Sequence, residues 1–217
     1  MSRVAIEAFE QTFAGQKSLA ERAIAQLPDV RLHEPVAPGM NPIAVIMRHM
    51  AGNMHSRWTD FLTADGEKPT RDRDAEFVDD HLASEALMQR WDDGWCCVFD
   101  ALSPLTDADL ERTITIRGQP HTVARAIARQ IDHYGYHTGQ IVTFARILAG
   151  DQWRHLPSRR AEPPFNRSMG WHPERSTPLA HERPLHDRDR RERLLAHLAR
   201  SMFSTGSAVA CRAWSHG

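Results

Sequence analysis

Cysteine is scarce in this chain and badly spaced for either of its structural uses. Three are present, Cys96, Cys97 and Cys211. An odd count with two adjacent members argues against a disulfide framework, and no spacing resembles a zinc knuckle. Cys96 and Cys97 read as two small apolar residues on a buried helix. Long hydrophobic runs are also missing. Nothing approaches the roughly 20 apolar residues of a membrane span, so no membrane contact is expected. The start, Met1 to Glu10, reads as an acidic helix and lacks the pattern of a secretory signal, which makes the protein's expected location cytoplasmic. Charge of one sign is not in excess either: the formal net charge is −1. Such a balance argues against electrostatic capture of nucleic acid or an anionic membrane. There is no internal repeat.

What is present is ordinary soluble-protein material, 41% hydrophobic and 25% charged over 217 residues. That length allows one good-sized core and an appendage. The charge is unevenly spread. Residues 157–217 hold eleven Arg, no Lys and six Asp or Glu, a formal excess of +5, which leaves −6 on residues 1–156.

Apolar residues at three- and four-residue steps predict four helices. The first spans about Val4 to Leu27, with Ile6, Phe9, Phe13, Ala20, Ile24 and Leu27 near one stripe, and residues 29–40 read as loop. Asn41-Pro42 has the form of an N-cap followed by Pro at the first helical position. It opens a second helix to about Leu62, with Ile43, Ile46, Met47, Met50, Met54, Trp58 and Phe61 on its apolar side. Ser84 is the expected cap of a third, carrying Leu87, Met88, Trp91, Trp95, Phe99 and Leu102. A short turn near Thr106–Leu110 precedes a small hairpin, Thr113–Ile116 and Pro120–Val123 around Arg117-Gly118-Gln119. The fourth and longest helix runs from about Val123 to Leu148 and stops at Gly150.

The expected fold class is therefore all-α, a four-helix bundle with a β-hairpin before its last helix, occupying residues 1–156. Residues 157–217 form a C-terminal extension rich in Arg, His and Pro. Few large apolar residues there argue for disorder over most of its length, with one short helix expected near Asp187–Phe203. A basic arm is the sharper reading of the extension, weakened by its interspersed acids.

The chemistry centres on His133 and His137. Four residues apart on a helix, they lie one turn above the other and can reach one ion. His49, among the methionines of the second helix, can face them across a bundle core. Three imidazoles would leave a position open for water or substrate, the arrangement of catalytic rather than structural zinc sites. Spacing alone favours hydrogen-bonded core histidines over ligands, given 13 histidines in the chain. Gly135 and Gly139 sit beside the pair in a helix interior, where each costs about 1 kcal/mol relative to Ala, and suggest a ligand or neighbour close to the backbone. Asn53, Gln140 and Asp132 are placed to orient the rings. Tyr134 and Tyr136 flank the pair. Arg57 could line a mouth for an anionic substrate, while Arg71 and Arg73 read better as a solvated loop. His55 and His121 read as non-ligands.

These residues also carry a resemblance. His49-Met50-Ala51-Gly52-Asn53, then Arg57 to Thr63 and Asp65-Gly66-Glu67-Lys68-Pro69, then Ile116-Arg117-Gly118 with His121-Thr122-Val123, and His133-Tyr134 through His137-x-Gly139-Gln140-Ile141-Val142 together resemble an uncharacterised bacterial branch of the DinB/YfiT-like superfamily of metal-binding four-helix bundles. The likeness covers roughly residues 1–165. It implies a divalent metal on His49, His133 and His137, for which imidazole ligands suit Zn, Ni or Fe; beside the resemblance, Asn53, Arg57, Tyr134 and Gln140 are the candidates around the ion or its substrate, and no catalytic residue is assigned. Characterised relatives include transferases and isomerases that use low-molecular-weight thiols, which makes metal-dependent thiol transfer to a small electrophile the leading expectation. A metal-dependent hydrolase and a non-enzymatic metal-binding or stress protein are the alternatives. The expected partner is a small-molecule substrate, and a homodimer is compatible with a small bundle.

Overall fold

The computed structural model describes residues 1–156. The extension 157–217, with its expected disorder and short helix, lies outside the described residues. The described part is predominantly helical. Four helices, α1 (Val4–Ile24), α2 (Ile43–Trp58), α3 (Ser84–Leu102) and α4 (Val123–Ala149), are joined by loops and short 3-10 turns, and a two-stranded hairpin, β1 (Thr113–Ile116) and β2 (Gln119–Thr122), precedes α4. α1 packs on α4 and α2 on α3, while α2 also meets α4. No described helix is long and apolar enough to cross a membrane.

Helix boundaries shift from the sequence expectations for local reasons. α1 ends at Ile24, and two turns of irregular backbone carry the chain to a 3-10 segment at Asp29–His33 inside the expected loop. The N-terminus of α1 has no cap of its own. Asp107, a hundred residues away, supplies one: its Oδ1 accepts from the backbone N–H groups of Ala5 and Ile6 at 3.1 and 3.3 Å, taking donors that an isolated helix leaves unpaired. Pro42, not Asn41, occupies the N-cap position of α2, and Ala83 rather than Ser84 that of α3; neither gives a side-chain cap. α2 stops at Trp58, short of the expected Leu62, because Thr59 is extended and Asp60 takes a positive φ of 50°.

α2 is buried on nearly every side, from Ile43 through Met47 and on to His49, Met50, Asn53, Met54, Ser56 and Trp58. A helix apolar around its circumference belongs in a core. Around it Phe13, Trp58, Trp95 and Tyr134 form an aromatic cluster with centroids 5.6–6.2 Å apart, an edge-on spacing favourable to rings. Tyr134 is wholly buried, and its hydroxyl is fully used: it accepts from Trp58 Nε1 and donates to Asn53 Oδ1, both at 3.0 Å. Cys97 is buried on α3 with its Sγ 3.2 Å from His55 Nδ1, whereas Cys96 is exposed, so only one of the pair is a core residue.

The hairpin turn is the two residues Arg117 and Gly118, with φ of 55° and 68°, and Gln119 already pairs with Ile116. Two left-handed residues make the tight turn that suits strand twist. Asp65 ties the loop after α2 to this turn. Its carboxylate accepts from the N–H groups of Glu67, Arg117 and Gly118 at 2.7–2.8 Å. Those backbone donors lower its pKa to about 2. The clasp fixes one end of the loop that crosses the histidines.

The glycines of α4 differ from each other. A Cβ at Gly135 would meet Gln16 Nε2 at 3.2 Å, but at Gly139 nothing lies within 4 Å. The expected close approach therefore does not hold at Gly139. Gly139→Ala should raise stability by about 1 kcal/mol, read as a higher urea midpoint; an unchanged or lower midpoint would mean that the position serves the site after all.

Candidate metal centre

α2 carries His49 and α4 carries His133 and His137, and the three rings converge. His133 Nε2 lies 3.3 Å from His49 Nε2 and 3.1 Å from His137 Nε2. Ligand atoms of all three lie within 4.8 Å of one another. The outer nitrogens set the tautomers. His49 Nδ1–H donates to Glu76 Oε2 at 2.9 Å, and His137 Nδ1–H to Gln140 Oε1 at 2.8 Å. With their protons outside, these rings turn Nε2 lone pairs inward. Nitrogens this close are held either by a cation between them or by a proton on His133 Nε2 shared with its two neighbours. Metal–nitrogen bonds of about 2.05 Å in a tetrahedral shell put donors about 3.3 Å apart, which the two His133 separations match. Burial pushes the His133 pKa down to about 3, with help from the neighbouring His137 and His49 and from Arg71 and Arg57. The ring stays in its neutral, ligating form. The cluster could hold a metal ion.

Glu76 was not singled out in the sequence, and it organises one side of the centre. It belongs to a 3-10 turn, Ala75–Phe77. Arg71, expected in solvent, instead has a buried side chain that grips it with two bonds, Nε to Oε1 at 2.7 Å and Nη2 to Oε2 at 2.8 Å. Burial pushes the Glu76 carboxyl up, but the bonds from Arg71 and His49 outweigh it and hold it below the usual range. Phe77 stacks on the His49 ring with centroids 4.6 Å apart. A carboxylate on the far nitrogen of a ligating imidazole fixes its orientation and raises its basicity.

The remaining expected residues take varied positions. Gln140 contacts His137 as expected of an orienting residue. Asn53 serves Tyr134 rather than His49. Tyr134 lies in the core and lines no pocket, while the exposed Tyr136 lines two. Arg57 is buried, donating to Gly66 O and, at 2.8 Å, to Glu67 Oε2. His55 and His121 stand away from the cluster.

Two cavities meet at the histidines. One, of about 260 Å³, is largely apolar and includes Met40, Ile46, Phe77 and Phe144 with His49 and His137. The other, of about 320 Å³, reaches His49 and His133 and is lined by Arg57, Arg71, Arg73, Arg117 and Arg129, against Asp132.

One signal for Glu76 existed in the sequence. Gly52 stands three residues after His49 in a buried helix, and a Cβ there would collide with Glu76 Oε1 and come within 2.8 Å of its Cδ. A costly glycine beside a candidate ligand marked a close approach, as reasoned for α4, but on the other helix. Gly52→Ala should weaken metal affinity about 10- to 100-fold by displacing the carboxylate. A chelator competition measures this, and affinity equal to the parent's would deny Glu76 its orienting role.

The fold and this cluster define a class: a helical protein with a three-histidine centre able to hold a metal ion between two pockets. The chain belongs to the family described as Protein of unknown function (DUF1572), which it matches over residues 1–162. It is also similar to a solved structure from Enterococcus faecalis, described as a conserved protein of its locus. The TM-score is 0.53 and the identity 18%, covering 70% of this chain and all of that one; the likeness speaks to fold alone. No curated protein matches.

Proposed function

We propose that this chain is a DinB/YfiT-like bundle whose three histidines hold a divalent ion, and that it transfers a low-molecular-weight thiol to a small electrophile. The observation that carries this reading is the meeting of a basic and an apolar pocket at His49, His133 and His137. A divalent ion held there favours the thiolate form of a thiol beside it. The arginines of the basic pocket would bind the carboxylates of such a thiol, and Met40, Ile46, Phe77 and Phe144 would take the carbon frame of the electrophile. In the reaction the thiol sulfur attacks the electrophilic carbon. A carbon–sulfur bond forms, the bond to the leaving group breaks with its electron pair, and the thiol proton passes to solvent. No cysteine lines either pocket among the described residues, which suits a nucleophile brought by the co-substrate.

Hydrolysis at the same centre has less support. It wants a carboxylate to act as base beside the ion; Glu76 is engaged by both Arg71 and His49, which leaves Asp132 as the one carboxylate among the described residues lining the basic pocket. A purely structural role leaves the two pockets unexplained. The test is an assay of the full chain, loaded in turn with Zn, Ni and Fe, with glutathione, bacillithiol or mycothiol and 1-chloro-2,4-dinitrobenzene. Chloride release that needs both thiol and ion, and that disappears in His133→Ala/His137→Ala, is expected. A loaded protein no faster than buffer with every pair would overturn the reading.

A further inference from the structure

A second group of ligand atoms lies outside the centre described above. His33, in the 3-10 segment after α1, and Asp79 and His81, in the loop after Glu76, bring two imidazoles and a carboxylate within 4.8 Å. His33 Nδ1 is 2.8 Å from Asp79 Oδ1 and 3.0 Å from Oδ2. His81 Nδ1 is 3.6 Å from Asp79 Oδ2. These separations bracket the roughly 3.3 Å edge of a tetrahedral shell with bonds of about 2.05 Å.

Two further contacts prepare the group for a cation. His33 Nε2–H donates to Leu82 O at 3.1 Å, so the neutral ring turns the lone pair of Nδ1 toward a carboxylate that is itself an acceptor. A carbonyl on the far nitrogen is the usual partner of a ligating histidine. A proton shared by His33 and Asp79 would satisfy that pair alone and leave His81 beyond hydrogen-bond distance; a metal ion would serve all three. The neighbouring arginines are occupied elsewhere, since Arg48 and Arg90 both pair with Asp80 at 3.1 and 3.0 Å; Asp79 faces the histidines, its Oδ1 also accepting from the backbone N–H of His81 at 2.9 Å.

We propose that His33, Asp79 and His81 form a second metal site. It takes a first-row divalent ion such as Zn²⁺ through His33 Nδ1, an Asp79 oxygen and His81 Nδ1, with water completing the shell. The ion fastens the loop at residues 79–81 to the 3-10 segment at His33. Glu76 and Phe77, which touch His49, begin the same loop. The second site thus braces the far end of the element that orients His49. It does not depend on the proposed transferase activity.

The experiment is equilibrium dialysis of the full chain against Zn²⁺, with bound metal counted by mass spectrometry. The proteins are the parent, His81→Ala, Asp79→Asn, the His133→Ala/His137→Ala variant, and that variant combined with His81→Ala. His81→Ala and Asp79→Asn should each bind one ion fewer than the parent, and the combined variant two fewer. An ion held anywhere else is common to all five and cancels in the differences. The His81 side chain is 77% exposed, so its removal leaves the fold in place, which circular dichroism checks. Zinc content equal to the parent's in either His81→Ala or Asp79→Asn would overturn the three-ligand site.

Discussion

The variant His133→Ala/His137→Ala is expected to bind one tightly held divalent ion fewer than the parent, and His49→Ala, His133→Ala and His137→Ala alone should each lose the same ion. The reason is geometric. His133 Nε2 is the shared neighbour of the other two nitrogens, at 3.3 and 3.1 Å, and no carboxylate or thiol among the described residues joins this ligand set. Removing one imidazole of three leaves two ligands, too few to hold an ion against water and buffer. Stability gives an independent readout. A ligand present at about a hundred times its Kd stabilises the folded state by about 2.7 kcal/mol. Zinc should therefore raise the melting temperature of the parent by more than that of the double variant, which keeps, among the described residues, only the site proposed at His33, Asp79 and His81. His121→Ala is the control, a hairpin residue bonded to Gln119 O. Equal occupancy in His137→Ala and the parent would return the histidines to the core.

The helices and the three histidines were legible because both are written in local spacing. A 3.6-residue period needs only neighbours along the chain, and so does an i, i+4 pair. The hairpin was legible for the same reason, with an error of one residue in its turn. What could not be read was set by contacts between distant segments. Arg71-Asp72-Arg73-Asp74 has the composition of a solvated loop, yet the Arg71 side chain is buried because Glu76 needs a partner where the loop crosses α2. The cap on α1 comes from Asp107, and no window along the chain joins the two. Asn53 and Tyr134 were placed near the ion by helical spacing, but spacing fixes a face only to within part of a turn. The structure turns the Tyr134 hydroxyl to Trp58 and Asn53, while Asn53 also lines the basic pocket with His49 and His133. The exposed Tyr136, two residues on, lines the pockets instead.

Glu76→Ala should cost about 3–5 kcal/mol of stability, because it leaves the buried Arg71 guanidinium without its two-bond partner. The Arg71 side chain is 5% exposed, and its other carboxylate contact, Glu67 Oε1, is long at 3.4 Å. Glu67 is already divided among Arg57, Arg71 and Arg117, so it cannot replace the lost carboxylate. Arg71→Met should cost a similar amount for the mirror reason, a Glu76 carboxylate left with His49 alone. Glu76→Leu strands Arg71 in the same way, and its loss should not add to that of Arg71→Met. With Glu76→Leu and Arg71→Met together no buried charge is stranded, and the double variant should be more stable than either single one. Metal affinity separates this structural effect from the role at the centre. Both Glu76 variants remove the acceptor that holds the His49 ring, so each should weaken metal binding about 10- to 100-fold, and the stability regained in the double variant should not restore it. Glu76→Gln keeps a carbonyl oxygen for His49 and should fall between Glu76→Ala and the parent in affinity. Urea unfolding of the metal-free proteins and chelator competition on the loaded ones measure the two quantities separately. Strictly additive stability losses would show that Arg71 and Glu76 do not act as a pair. Affinity that recovered with stability would show that Glu76 acts on the centre only by holding the loop in place.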